Sequence, residues 1–87
     1  MKFSLSEFEE WLRARGYDRM MGEENFRQFL SLGLASLLFQ NSNLLIAFIF
    51  NKLGVEMERI EPRIRFAVGK KVKKIVATHD ELEIELS

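Results

Sequence analysis

The first half of the chain carries long apolar stretches with helical periodicity, and the second half alternates apolar and charged residues. Leu5, Phe8, Trp11 and Leu12 fall on one side of a 3.6-residue repeat and predict an amphipathic helix over 4–15. Ser4 and Glu7, and also Ser6 and Glu9, have the spacing of a capping box. Glu7, Glu9 and Glu10 lie early in this helix and Arg13 and Arg15 late, the order that suits the helix dipole. Gly16 is the expected stop. Residues 17–22 read as a connection. A second helix is predicted over 23–39, where Phe26, Phe29, Leu30, Gly33, Leu37 and Leu38 share a stripe. Its other side does not turn polar, because Leu32, Ala35 and Phe39 lie there, so more than one face should be covered. Ser31, Gly33, Ala35 and Ser36 are small enough to admit another helix. Asn41 or Ser42 then serves as the cap of a third helix over 44–53, with Gly54 as its stop. A single helix over 23–53 is the alternative. The stretch 44–50 is also short enough for a buried strand, but the run into Gly54 favours helix.

From residue 55 the texture changes. Ile64, Phe66 and Val68 alternate with Arg63, Arg65 and Ala67, and Leu82, Ile84 and Leu86 alternate with Glu81, Glu83 and Glu85. Both patterns predict strands with one apolar face. A third strand is expected over 72–78 and a fourth over 55–60, ending near Pro62. If His79-Asp80 forms a two-residue turn, Ala77 faces Leu82, Ile75 faces Ile84 and Lys74 faces Glu85. The expected fold is α+β in a single domain, 1–87. Two or three N-terminal helices (about 4–54) pack on one face of a C-terminal three- or four-stranded antiparallel meander (about 55–87).

Length and composition narrow the function. Eighty-seven residues suffice for one domain with a small core. Zero cysteines exclude a disulfide framework, a thiolate metal site and a cysteine nucleophile, and the lone His79 excludes a multi-histidine metal site. No metal or cofactor is therefore expected. The start of the chain lacks a leader-like apolar region, which points to a cytoplasmic protein. Abundant Lys, Arg and Glu with one Thr and no Cys lean towards the composition of thermophile proteins.

The formal net charge is zero, yet the second half is segregated: seven bases and one acid over 59–74, then four acids over 80–85. Arg63, Arg65, Lys70, Lys71, Lys73 and Lys74 could follow a phosphate backbone. Against that, the acids of the last strand answer them across the sheet, and aromatic side chains for base stacking are nearly absent, Phe66 being alone after Phe50. The 21 residues of 30–50 match a membrane helix in length, but the polar cluster 40–43 would lie near mid-bilayer, which disfavours a span. His79 beside Asp80 reads as an exposed turn residue rather than a general base. The glutamates at 7–10 and 23–24 read as helix-start electrostatics. Trp11 either closes the core or lies at the rim of an interface, and Met20-Met21 are gap fillers or an adaptable contact.

No residue set supports an enzyme. The chain reads as a non-enzymatic interaction module that forms a homo-oligomer, with a dimer favoured, or joins a protein partner. Its seam would comprise Leu32, Ala35, Ser36, Phe39, Ile46 and Phe50, on the second faces of the two apolar helices. The alternative is a nucleic-acid-binding module using the basic segment 59–74.

Overall fold

In a computed structural model, residues 1–53, 57–60, 63–66 and 72–86 are described, with side chains described for 1–53 and 74–85. The order of elements is β1 (Lys2–Ser4), α1 (Leu5–Ala14), α2 (Tyr17–Met21), α3 (Glu23–Ser31), α4 (Gly33–Phe39), α5 (Asn43–Leu53), β2 (Met57–Ile60), β3 (Arg63–Phe66), β4 (Val72–Ala77) and β5 (Glu81–Leu86). Helices thus lie on the N-terminal side, and an antiparallel sheet closes the C-terminal side.

The first helix follows its sequence closely. Ser4 caps it, its hydroxyl accepting from the Glu7 amide at 3.1 Å. Phe8 and Leu12 are fully buried. Gly16 takes the left-handed conformation, φ 80°, which a side chain would disfavour. Residues 17–22 are not a plain connection, because α2 fits a short helix between Gly16 and Gly22. Five residues are too few to show helical periodicity in sequence.

The expected helix over 23–39 is two helices. The apolar stripe runs through the break, with Phe26, Leu30, Leu34 and Leu37 all buried, but Gly33 has φ +82° and divides α3 from α4. What comes close to Gly33 is the His79 ring rather than another helix. A Cβ at this position would stand 2.8 Å from His79 Cγ, well inside contact distance. A second break separates α4 from α5, where Asn41 is left-handed at φ 54°. The Ser42 carbonyl then accepts from the Ile46 amide at 3.0 Å and begins α5. The region 23–53 is therefore three helices, not one or two.

The sheet departs from a simple meander. Its order is β1-β5-β4, while β2 and β3 pair with each other as a separate two-stranded sheet. The strands at 57–60 and 63–66 thus do not extend the C-terminal sheet, and the N-terminal residues supply its third strand. Alternation identifies strands without specifying their neighbours. Three residues of β1 also show too little alternation to read, although Phe3 anchors the strand by being buried. The β4–β5 register agrees with the two-residue turn: Lys74 opposite Glu85, Ile75 opposite Ile84, Ala77 opposite Leu82. Leu82 and Ile84 are buried and Glu81, Glu83 and Glu85 are exposed, so the helices cover one face only. Gly54, Val55, Pro62, 67–71 and Ser87 lie outside the described residues.

The core joins Phe3, Leu82 and Ile84 of the sheet to apolar residues of α1, α3, α4 and α5. Phe48 is at its centre, with the rings of Phe3, Phe8 and Trp11 at 5.6, 5.2 and 5.6 Å in edge-on arrangements. Such pairs add to burial. Trp11 closes the core over α5 and donates to Asn51 Oδ1 at 3.0 Å.

Gly33→Ala should destabilise the fold by about 2 kcal/mol or more, since a left-handed non-glycine residue alone costs roughly 1–2 kcal/mol and the new methyl displaces His79. Urea unfolding measures the cost. In a His79→Ala background the penalty should fall towards the backbone part alone.

Candidate functional site

Of the six residues expected at a seam, Ala35, Ser36 and Phe39 lie on α4 and Leu32 immediately precedes it. Ser36 and Phe39 lie one turn apart on α4, both exposed, and Phe39 is 88 % exposed. Leu32, just before the helix, is 44 % exposed, and Ala35 is half-buried. The inner side of α4, with Gly33, Leu34 and Leu37, faces the core. The two α5 residues are placed differently. Ile46 is half-buried and Phe50 is only 4 % exposed, so Phe50 does not belong to an open face. The chain bends by 103° between α4 and α5, so the two helices do not continue along one line. The candidate surface therefore reduces to Leu32, Ala35, Ser36 and Phe39. Among the described residues, no single helix is long and apolar enough to cross a membrane.

The basic segment gives less. Lys70 and Lys71 lie outside the described residues, and the backbones of Arg63, Arg65 and Lys73 are described without their side chains. Lys74 is exposed on β4, directly opposite Glu85. On the other side of β5, Lys2 pairs with Glu83. The outer sheet face is thus a central row of acids, Glu81, Glu83 and Glu85, flanked by lysines. Among the described residues, no cluster of His, Asp and Glu could hold a metal ion.

Charges that in the sequence fall at separate helix ends form one network in the fold. Arg13 of α1 grips Glu23 of α3 through both terminal nitrogens, at 2.8 and 3.1 Å, and its Nε donates to Glu9 at 2.9 Å. A longer contact of 3.4 Å reaches Asp18 of α2. The guanidinium also lies 4.8 Å from the Phe26 ring centre. Arg27 adds a bond to Glu23 at 3.1 Å. Three helices are pinned at one guanidinium, a geometry that Arg supplies and Lys would not. The i,i+4 spacings of Glu9–Arg13 and Glu23–Arg27 are visible in sequence; the link from Arg13 to Glu23 depends on the turn of the chain through α2. Hydrogen bonds from Arg13 and then Arg27 pull the Glu23 carboxyl down to about 2, and Glu23 and Glu9 hold the Arg13 guanidinium above its ordinary range. Both groups remain half in water, so salt screens their contribution to stability.

His79 and Asp80 occupy the turn between β4 and β5, as expected, and both side chains are exposed. The turn itself is more than a connection. The Thr78 and His79 carbonyls accept from the Ala35 and Leu34 amides of α4, each at 2.9 Å, and the Asp80 carbonyl accepts from Leu5 of α1 at 2.8 Å. An open depression of about 380 Å³ lies beside it, with Glu9, Arg13, Arg27 and His79 on its walls.

The chain is 57 % identical over 88 aligned positions, 99 % of each chain, to a protein of Archaeoglobus fulgidus described as an "Uncharacterized protein", and it belongs to the family of that protein. Neither a family model nor a solved structure matches it.

Titration of the carboxyl groups by NMR should place the Glu23 midpoint near 2. Because this midpoint is depressed from 4.5, the stability it contributes is present above 4.5 and is lost as pH falls towards 2. Arg13→Met should return the midpoint upwards and lower stability at pH 7, with the two proteins converging at the acid end.

Proposed function

We propose that this chain is a small non-enzymatic assembly module that forms a homodimer through the outer face of α4. The observation that carries the reading is Phe39, an aromatic side chain left 88 % exposed one turn from the exposed Ser36, with Leu32 also exposed just before the helix. Solvated phenylalanine at the end of an apolar helix is a feature of association surfaces more than of isolated domains. The face bears no charge with which to select a charged partner. Two-fold pairing would set one apolar patch against its own copy, and closed two-fold dimers are the commonest oligomers.

Magnitudes set the expected strength. Burying one Phe side chain is worth roughly 1.5–3 kcal/mol, and a two-fold seam buries two. Association costs about 4–15 kcal/mol in lost freedom. Phe39 therefore needs Leu32 and the packing around it, and the dimer should dissociate on dilution. On the outer sheet face the opposition of Lys74 to Glu85 and of Lys2 to Glu83 supports reading those charges as mutual compensation rather than as a phosphate-binding track.

Light scattering during size-exclusion chromatography, from micromolar to millimolar protein, should show mass rising towards twice 10.2 kDa. Phe39→Glu should leave a monomer at every concentration. Met20→Glu, the same change at another exposed apolar residue (76 %), should leave the dimer intact. A native chain that stays monomeric throughout refutes the proposal.

A further inference from the structure

The surroundings of His79 admit one protonation state better than the other. Its Nδ1 lies 2.9 Å from Asp80 Oδ1 and its Nε2 lies 3.1 Å from the Ser31 carbonyl oxygen. Both neighbours only accept hydrogen bonds. A neutral imidazole has one N–H and one lone pair, so it would set that lone pair against one of these oxygens; the imidazolium donates to both. The Ser31 carbonyl is also the last of α3, at the negative end of the helix dipole, where a cation is favoured. The absence of a side chain on Gly33 leaves room for the ring in this position.

The other charges near the ring do not reverse this preference. On its own turn stands Asp80. Across the depression α1 presents Glu9 and Arg13, and α3 presents Arg27. Both arginines are engaged, Arg13 by Glu9 and Glu23 and Arg27 by Glu23, and α4, whose Gly33 lies against the ring, carries no titratable side chain. Hydrogen bonds to Asp80 and then to Ser31 accordingly raise the affinity of the ring for its proton.

We propose that His79 is a proton-operated latch: as an imidazolium it fastens the β4–β5 turn to the end of α3, and its deprotonation loosens the joint between α3 and α4. The turn carries both ends of the device, because the His79 backbone carbonyl holds the Leu34 amide while its ring holds Ser31. Since the affinity for the proton is raised by folding, the stabilisation is complete below 6.5, the ordinary value, and is lost as pH rises through the higher midpoint of the folded protein. The latch does not depend on self-association, and it acts equally on a monomer.

His79 is the single histidine of the chain, so its ring resonances can be followed by NMR without ambiguity. Titration of the native protein should give a midpoint above 6.5. Through the same pH interval the hydrogen-exchange protection of the Leu34 and Ala35 amides, corrected for the intrinsic effect of pH, should fall. In Asp80→Asn the midpoint should move down, and the loss of protection should move with it. A midpoint at or below 6.5 in the native chain, or protection at Leu34 and Ala35 that is unchanged through the midpoint, overturns the proposal.

Discussion

Three consecutive carbonyls, of Thr78, His79 and Asp80, take up the first free amides of two helices. The initial N–H groups of any helix have no partner within it. Here α4 begins at a sharp break in the middle of the protein, where water reaches Leu34 poorly, since that residue is fully buried. An unmade hydrogen bond at such a site costs about 1–3 kcal/mol, more than a made one contributes. The turn between β4 and β5 removes that cost for α4, and at α1 it works together with the Ser4 cap. The helical layer and the sheet are thereby joined by backbone as well as by the apolar core. Gly33 is the matching constraint on the other side: without a side chain, and with φ +82°, it lets α3 end, α4 start and the His79 ring settle in the gap.

The local parts of this arrangement were legible in the sequence. Alternation on both sides of His79-Asp80 defines a two-residue turn, and that turn determines which residue of β4 faces which residue of β5. Ser4, the stripe of α1 and Gly16 likewise define one helix with its start and stop. The break at Gly33 was not legible, because Phe26, Leu30, Leu34 and Leu37 keep one helical period across it, so the core face continues while the backbone does not. Gly33 read as room for a helix; the occupant is an imidazole contributed 46 positions later in the chain, a contact that no periodicity encodes. The same limit applies to β1, whose three residues gain their meaning from pairing with β5, and to Arg13 and Glu23, which meet through the turn of the chain at α2.

The candidate site shows a similar division. The apolar second face over 32–39 was visible as a lack of polar complement, and Leu32, Ser36 and Phe39 are exposed. Phe50 shares the apolar pattern of that face but is only 4 % exposed, and α5 departs from the line of α4 by a 103° bend. In physical terms, pattern reports which side of a helix is apolar, while the angle between helices decides whether two such sides coincide. The charge segregation of the second half is resolved where the side chains are described: the acids of β5 form the middle of the outer face, with Lys2 and Lys74 at its flanks.

The turn 78–81 holds α1 and α4 as one cooperative unit. Native-state hydrogen exchange against denaturant tests it directly, through the three amides that bond to the turn: Leu5, Leu34 and Ala35. Their opening free energies should merge into a single isotherm at low denaturant, because releasing the turn releases all three. Exchange of Leu5 on an isotherm separate from that of Leu34 and Ala35 would contradict it.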